Sequence, residues 1–412
     1  MFRKFIGEKY FCGLDIGTQT IKAALIAPKE NRQFELLGVR EVKTAGYENG
    51  SVVDLGELSV SINAAMSGLM KNTHVKIKSV QFGISGELVR ERRSAAVMPL
   101  LDRGNKVISH RDILKIQKQA RLLGVKMDEV ILHDFPQGYK VDDVNRASNP
   151  VGLYGRKLEV ETLVVAVHNT VLKNLTKAVN QAGFDVENLF FTTYAATQTA
   201  LDDFQRKQGC ILVDIGSSLT DVVIFKGGQL RFLGSIPLGS NDVTRAIVER
   251  LNIGYDLAED IKKSYAVVRH GHASTDEEIL IKREDGYEPV KKHVISDAIE
   301  QVIADLLNMV ASSVKQTEFF DQLKTGIVMA GGGALLSGLA ERFEEDLGLP
   351  AKMAKINFSS RRMQNATKFL SAVGLAHAGF DKSFSLLLKR NHYSHWLKGC
   401  LERTKELYEE YF

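Results

Sequence analysis

The chain has 412 residues, enough for two or more subdomains, and its 44% hydrophobic and 25% charged residues are typical of a folded, water-soluble protein. The 7 prolines are too few for long disordered linkers. The net charge of +4 is spread thinly, without a basic stripe interleaved with aromatic residues, so nucleic-acid binding is not expected.

The N-terminal segment and the cysteines predict a cytoplasmic protein. The opening MFRKFIGEKY is too short and too charged for a signal peptide. No window approaches the ~18 consecutive apolar residues that a membrane span requires. The 3 cysteines, an odd number set far apart, suit a reducing compartment.

Short β-branched runs alternate with helical patterns along the chain, which predicts an α/β fold. The predicted strands are, in order, FCGLD, TIKAALIA, KIKSVQFGIS, LEVETLVVAV and DVENLFFTT. The predicted helices between and after them are GELSVSINAAMSGLMKN, SHRDILKIQKQARLLG, TVLKNLTKAVNQAGF and AATQTALDDFQ.

The polar turn after the first strand returns near the middle of the chain. Asp15-Ile16-Gly17 and Asp214-Ile215-Gly216 each follow an apolar strand and precede a small-residue turn and a second apolar strand. This internal repeat predicts two similar halves that face each other across a cleft.

Such turns are suited to phosphate. A tight turn of Gly, Ser and Thr lets backbone N–H groups face a phosphate without obstruction. A carboxylate at the strand end holds Mg²⁺ through water, and Lys22 adds a positive charge for phosphate. A third segment, TGIVMAGGGALLSGLAERFEEDLGLP, runs from a strand through Gly331–Gly333 into an amphipathic helix, where glycines admit a flat ligand.

These three pieces, in this order, resemble the actin-like ATPases. The resemblance implies that Glu259 and Lys262, one turn apart on YDLAEDIKKSY, hold the ribose and base of ATP; a solvent-exposed salt bridge is the alternative. The predicted nucleotide-binding residues are Asp15, Gly17, Thr18, Gln19, Thr20, Lys22, Asp214, Gly216, Ser217, Ser218, Thr220, Glu259, Lys262, Gly331, Gly332 and Gly333. Asp15 and Asp214 are the predicted Mg²⁺ residues.

Within this class the chain resembles the FtsA family of bacterial cell-division proteins over nearly its whole length. The matching segments are FPQGYKVDDVNRASNPVGLYGRKLEVETLVVAV, GSIPLGSNDVTRAIVERLNIGYDLAEDIKKSYA and IVMAGGGALL, of which Asn149-Pro150 to Val160 is the most specific. The resemblance implies an actin-like, ribonuclease H-like duplicated fold, with two halves around a nucleotide cleft and a relocated subdomain.

The expected subdomains follow from that resemblance. They are 10–86 and 162–205 (subdomain 1A), 87–161 (the relocated, SHS2-like subdomain 1C), 206–245 and 323–380 (subdomain 2A), 246–322 (subdomain 2B) and 381–412 (a C-terminal amphipathic tail). Subdomain 2B is expected to carry a hairpin turn at Asp285-Gly286. In the FtsA family this subdomain binds the C-terminal peptide of FtsZ.

Two departures from the family pattern bear on hydrolysis. Leu219 replaces a hydroxyl residue in the second turn, and Thr192 occupies the place of the class's water-positioning Glu or Gln. A threonine cannot act as a general base at neutral pH. ATP binding with slow or absent hydrolysis is therefore expected, and no catalytic residue is assigned.

The tail has an amphipathic pattern. Trp396, Leu397 and Leu401 share one helical face with other apolar residues, and the family typically ends in a helix that lies in the membrane interface. This tail is not basic, so packing on the protein's own body or on a partner is the alternative. His392 and His395 lack companions for a metal site and are interpreted as surface or interfacial residues.

The leading hypothesis is an ATP-binding cytoskeletal adaptor that polymerises and tethers FtsZ filaments to the cytoplasmic face of the membrane at the division septum. A relative of the pilus-assembly protein PilM, which binds a peptide of a membrane partner, is the second hypothesis. The NPVGLYGRKLEV segment and the long tail argue against it. A small-molecule kinase is the third, and no aspartate base is evident for it.

Overall fold

The structure of the protein, a computed structural model, describes residues 10–29, 33–48, 50–86, 89–100, 106–143, 145–268, 277–283, 286–356 and 366–383. The strands are, in chain order, β1 Phe11–Ile16, β2 Thr20–Pro28, β3 Phe34–Lys43, β4 Tyr47–Glu48, β5 Ser51–Val52, β6 Ser79–Ile84, β7 Val89–Pro99, β8 Lys106–Val107, β9 Glu129–Val141, β10 Asn145–Ala147, β11 Tyr154–Gly155, β12 Lys157–His168, β13 Asp185–Phe191, β14 Cys210–Ile215, β15 Thr220–Lys226, β16 Gln229–Ile236, β17 Glu278–Arg283, β18 Gly286–Lys291, β19 Ile327–Ala330 and β20 Ala351–Met353.

The helices alternate with these strands. They are α1 Leu55–Thr73, α2 His110–Leu123, α3 Asn169–Gln181, α4 Thr192–Ala200, α5 Asp203–Gln208, α6 Ser240–Leu251, α7 Tyr255–Tyr265, α8 Lys292–Lys315, α9 Leu339–Leu347 and α10 370–383, with 3₁₀ turns at Phe320–Gln322, Gly333–Leu335 and Ala366–Phe369.

Two five-stranded sheets share one topology. Their strand orders are β3-β2-β1-β6-β13 and β16-β15-β14-β19-β20. In each sheet the first three strands are antiparallel neighbours and the last two join in parallel. The predicted duplicated α/β fold is therefore confirmed, and each repeated turn connects the first two strands of its own half.

The core of the first half lies between its sheet and the helices on both faces. The inward face of α1 buries Leu58, Ile62 and Leu69, each contributing about 2 kcal/mol. On the other face α10 approaches β1 so closely that a Cβ at Gly13 would lie 1.9 Å from the carbonyl oxygen of Ala372. Only glycine permits this contact between helix and strand.

A separate small sheet forms the insert between β6 and α3, which we call the inserted subdomain (89–168). Its strand order is β10-β9-β12-β7, with β7 and β12 paired from Val89↔Val167 to Pro99↔Lys157. Helix α2 packs on this sheet through Ile116 and Ala120. Ser109 caps α2, and the side chain of Asp112 accepts a hydrogen bond from the backbone N–H of Ser109, so the predicted helix begins at a capping box.

The second half carries its own insertion of α6, α7, the β17–β18 hairpin and α8. The hairpin pairs Glu278↔Lys291 through Arg283↔Gly286. Residue 285 of the predicted turn lies outside the described residues, and Gly286 begins β18 with a φ of +140°. This insertion packs on the second core through Ile295, among others.

Two local predictions need correction. AATQTALDDFQ is predicted as one helix but forms α4 and α5, because Leu201 is extended and Asp202 caps α5 through the N–H of Gln205 at 2.7 Å. The glycines after β19 do not lead directly into a helix. They open a 3₁₀ turn, and α9 begins only after Gly338, whose φ is +80°.

Candidate nucleotide site

One cavity of about 820 Å³ lies between the two halves. Its volume is within the range of small-molecule sites. Both repeated turns and the glycines after β19 line it. The predicted nucleotide-binding residues that line it are Asp15, Gly17, Thr18, Gln19, Thr20, Lys22, Asp214, Gly216, Ser217, Ser218, Glu259, Lys262, Gly331, Gly332 and Gly333. The structure thus brings together pieces from both ends of the chain.

Thr220 is the exception among the predicted nucleotide-binding residues. Its side chain is fully buried, and its hydroxyl donates to the carbonyl of Leu238 at 2.8 Å. In the shared register Thr220 corresponds to Ile21, since Ile16↔Ile21 and Ile215↔Thr220 are matching pairs. The strand alternation therefore turns Thr220 away from the cavity.

The two turns are closed by equivalent hydrogen bonds. The N–H of Gly17 donates to the carbonyl of Thr20 at 3.1 Å, and the N–H of Gly216 donates to that of Leu219 at 2.8 Å. The second turn is also held by α6, because the N–H of Asn241 donates to the carbonyl of Ser217 at 2.7 Å. These bonds fix the turn backbones facing the cavity.

Three carboxylates lie on the cavity floor. Burial raises the pKa of Asp15, Asp214 and Asp221, and the pKa of Asp214 rises to about 7 because the other two charges add to the burial. The positive charge of Lys22 offsets part of this rise in the pKa of Asp15 and Asp214. The three carboxylates have too little positive charge around them, and a bound divalent cation would reduce the repulsion between them.

Asp221 is a site residue that the sequence reasoning missed. Its Oδ2 accepts a hydrogen bond from Thr193 Oγ1 at 2.5 Å, and its Oδ1 accepts one from Ser235 Oγ. Asp221 lines the cavity directly across the strand pair from Asp214. The signal was present in the second repeat, where an acidic residue lies at the β15 position matching Lys22 of β2.

Glu259 and Lys262 form a buried pair at the cavity wall. Their side chains are 12% and 9% exposed, and Lys262 Nζ lies 2.7 Å from Glu259 Oε2. Thr244 joins them, donating to Glu259 at 2.7 Å and accepting from Lys262 at 2.8 Å. Because both side chains are buried, the solvent-exposed salt bridge considered from the sequence is the poorer description.

The first two glycines after β19 differ in the space around them. A Cβ at Gly331, where φ is +84°, would lie 2.3 Å from the carbonyl oxygen of Ile215 and 2.5 Å from Asp214 Oδ1. At Gly332 a Cβ would meet nothing within 4 Å. Gly331 is therefore required by the approach of β19 to the second turn, whereas Gly332 faces open space in the cavity.

Thr192 is the first residue of α4 and lines the cavity with 4% of its surface exposed. Its hydroxyl has no hydrogen-bond partner within the described residues. A buried hydroxyl without a partner at a cavity wall is available to water or a ligand.

Gln19 also spans the cleft. Its Nε2 donates to the hydroxyl of Tyr255 at 2.5 Å and to Asn241 Oδ1. Tyr255 and Asn241 belong to α7 and α6 of the opposite half. The tip of the first turn is therefore tied to the second half, a contact that the sequence did not predict.

Other predicted features lie beyond the site. In the parts of the chain that the structure describes, no three histidine, cysteine or acidic side chains are arranged to ligate a metal ion directly, so a cation at the cavity carboxylates would be held through water. Among the described helices, none has the length and apolar character of a membrane span. Trp396, Leu397 and Leu401, like His392 and His395, lie outside the described residues.

The duplicated sheets and the cleft between them define an actin-like protein. The fold is similar to a PilM–PilN type IV pilus biogenesis complex, with a TM-score of 0.64 and 19% identity over 90% of this chain and 99% of that one. It is also similar to MreB5 of Spiroplasma citri bound to ADP, with a TM-score of 0.53 and 17% identity over 93% of this chain and 98% of that one.

Sequence comparison is more specific. The family model "Cell division protein FtsA" matches residues 211–374, and that of the SHS2 domain inserted in FtsA matches 86–166. The chain is 28% identical to FtsA of Streptococcus pneumoniae over 84% of this chain and 75% of the relative. It is 27% identical to FtsA of Escherichia coli K12 over 91% of each. The resemblance to the FtsA family of cell-division proteins is therefore confirmed over most of the chain.

Proposed function

We propose that the cleft binds ATP together with Mg²⁺. The observation that carries this proposal is the convergence of both repeated turns, the Glu259–Lys262 pair and the glycines on one cavity. An MreB5 of the same fold is known bound to ADP and to AMPPNP, which supports the proposal. The donor set fits the cation, since buried carboxylates with raised pKa favour a bound divalent charge.

Each group has a role in this proposal. The turn N–H groups and Lys22 bind the phosphates, and Asp15 and Asp214 hold Mg²⁺ through water. Bound Mg²⁺ neutralises phosphate charge. Glu259 and Lys262 hold the ribose and base. The open space at Gly332 leaves room for a flat ring system.

Slow or absent hydrolysis is part of the same proposal. Thr192 contributes a partnerless hydroxyl to the cavity, and a hydroxyl neither accepts a proton at neutral pH nor holds water as a carboxylate does. Phosphate release at several turnovers per second by the purified protein would contradict this.

The binding proposal is tested with a fluorescent ATP analogue and Mg²⁺. Lys22→Ala removes a charged phosphate ligand, so the dissociation constant should rise at least ~10-fold. Lys29→Ala is the matched control, because Lys29 directly follows the strand of Lys22 and lies away from the cavity lining. Loss of its 3.1 Å pair with Glu35 on β3 should change the dissociation constant less than ~2-fold. Equal effects of the two variants on the dissociation constant would contradict the proposed site.

We further infer that the protein polymerises and tethers FtsZ to the cytoplasmic face of the membrane at the division septum. Similarity to the FtsA family supports this role. The apolar face of 381–412 is the proposed membrane contact, and the proposed subdomain 246–322 is the FtsZ peptide site. Its hairpin exposes Leu280 and Tyr287, each 70% accessible, as contacts for a peptide.

The tether is tested by co-sedimentation with anionic vesicles, with and without Mg-ATP. The intact chain should pellet, more strongly with ATP, and a chain ending before Asn391 should not. If neither pellets, the C-terminal segment is a packing element.

The FtsZ contact is tested by fluorescence anisotropy of an FtsZ C-terminal peptide. Leu280→Ser should weaken binding at least ~5-fold, because it removes exposed apolar surface that the bound peptide would cover. The control is Leu114→Ser, an equally exposed leucine (67%) on the inserted subdomain, which should leave the affinity unchanged.

Binding of a membrane partner's peptide in the manner of PilM is the second candidate. The structural similarity to the PilM–PilN complex favours it. In the peptide assay, a preference for a cytoplasmic peptide of a membrane protein over the FtsZ peptide would select this function.

A further inference from the structure

The inserted subdomain contacts both halves of the molecule. Strand β9 reaches the first half at the end of β13, where His133 Nε2 accepts a hydrogen bond from the N–H of Phe191 at 2.9 Å. Strand β7 reaches the second half at β16, where Glu91 Oε2 accepts one from the N–H of Leu233 at 3.2 Å. The inserted subdomain therefore bridges the two walls of the cleft from outside.

The two contact points lead to the same carboxylate. Phe191 lies two residues before Thr193, and Leu233 lies two residues before Ser235. Thr193 and Ser235 are the two hydroxyl donors to Asp221. Each oxygen of Asp221 is thus held by a hydroxyl whose backbone is anchored, two residues away, to the inserted subdomain.

The contact at His133 is well defined. Its ring lies 4.8 Å from that of Tyr194 and 5.9 Å from that of Phe190, measured between centroids. Burial lowers the pKa of His133 to about 3, so its ring is neutral and its Nε2 is a hydrogen-bond acceptor. Because Phe191 caps α4, this bond fixes the position at which Thr192 and Thr193 enter the cavity.

The contact with the second half is reinforced along the edge strand β16. Gln137 Nε2 donates to the carbonyl of Leu230 at 2.9 Å, and Arg231 donates to the carbonyl of Gln137 at 2.8 Å. Arg93 donates to the carbonyl of Arg231 at 3.2 Å. Strand β16 is thereby docked on the inserted subdomain from Leu230 to Leu233, and this docked stretch ends two residues before Ser235.

We propose that the inserted subdomain positions Asp221 in the cleft, with His133 and Glu91 as the positioning residues. A shift of the inserted subdomain relative to either half moves one of the two hydroxyl donors. The affinity of the cleft for its ligand therefore depends on the position of this subdomain relative to the two halves. By linkage, a ligand in the cleft acts back on the inserted subdomain. The consequence for ligand affinity rests on the proposed nucleotide function.

The test measures the dissociation constant of Mg-ATP for a set of variants. His133→Phe keeps the ring packing but removes the acceptor, and the loss of one neutral hydrogen bond should raise the constant about 5-fold. His133→Gln restores a hydrogen-bond acceptor at a similar distance from the backbone, so its dissociation constant should be within ~2-fold of the wild-type value. The control is Asp143→Asn, which breaks an exposed ion pair with Lys157 inside the same subdomain and should have no effect.

A double-mutant cycle separates positioning from general stability. In the Asp221→Asn background, His133→Phe should have less than half its effect, because the carboxylate that it positions is gone. An undiminished effect in that background, or no effect of His133→Phe on its own, overturns the proposal.

Hydrogen exchange gives a readout that needs no nucleotide. His133→Phe should speed amide exchange at Phe191–Tyr194 and also at Asp221, which His133 does not contact. Exchange that changes only beside His133 overturns the proposal. If His133→Phe speeds exchange at both places but the wild-type protein binds no ATP, the proposed nucleotide function fails and the positioning role stands.

Discussion

The two halves have the same sheet topology, but the cross-strand residue pairs next to their turns differ in charge. In the first half Asp15 lies directly opposite Lys22, whereas in the second half Asp214 lies opposite Asp221. An opposite-charge pair stabilises neighbouring strands and a like-charge pair destabilises them. Fold duplication has therefore preserved the backbone of the turn and divided the electrostatic roles.

This asymmetry accounts for the charge of the site. The strands beside the first turn provide one carboxylate, Asp15, paired with the positive charge of Lys22. Those beside the second turn provide two carboxylates, Asp214 and Asp221, without a paired lysine or arginine. The pKa of Asp214 is raised to about 7, and burial and the neighbouring carboxylates are the causes. The second half is the part of the site that a bound cation stabilises more.

The largest difference in the cost of a glycine-to-alanine substitution is expected between Gly331 and Gly86, which follow the equivalent parallel strands β19 and β6. Gly331→Ala would force a Cβ to 2.3 Å from the carbonyl oxygen of Ile215, and should lower the free energy of unfolding by about 4 kcal/mol. Gly86→Ala suffers only its positive φ of +108°, with the nearest atom 3.5 Å away, and should cost about 1–2 kcal/mol. Denaturant unfolding measures both, and equal costs would refute the tight fit at Gly331.

The carboxylate pair gives the next largest effect. Without divalent cations at pH 8, Asp214→Asn should raise the free energy of unfolding by about 1–3 kcal/mol, since it removes a buried charge. Asp15→Asn should give less than half of that, because Asp15 has Lys22 opposite. In both variants Mg²⁺ should stabilise less than it does in the wild type.

The pH dependence follows from the direction of the shift. The folded-state pKa of Asp214 lies near 7, above its ordinary value of about 3.9, so its protonated form favours folding. The stability of the wild type relative to Asp214→Asn is highest below about pH 4 and is lost as the pH rises through 7. A stability difference that does not change from pH 5 to pH 8 would contradict the raised pKa.

The smallest effect concerns the hydroxyls of the turns. Leu219 matches Thr20, so Leu219→Thr places a hydroxyl at the equivalent position of the cavity and should tighten ATP binding about 3-fold. Thr220→Val removes the buried bond to Leu238 and should cost about 1 kcal/mol of stability with less than ~2-fold change in affinity. If Thr220→Val instead weakened ATP binding strongly, the register placing Thr220 away from the cavity would be wrong.

The sequence by itself determined the features that rest on near neighbours. The Asp-Ile-Gly turns and the start of α2 after Ser109 depend on hydrogen bonds between residues a few positions apart, so the local sequence indicates them. The duplication is visible in the sequence because the Asp-Ile-Gly turn is repeated. The family resemblance, carried by local motifs, was confirmed for the same reason.

Only the tertiary structure decided the rest. The burial of Thr220, the two hydroxyls on Asp221 and the contact of His133 with Phe191 join segments far apart in the chain. No local pattern records them, because strand register sets which face a side chain takes and sheet packing sets which strands meet. The split between α4 and α5 belongs here too, since helical spacing continues across a break that capping by Asp202 imposes.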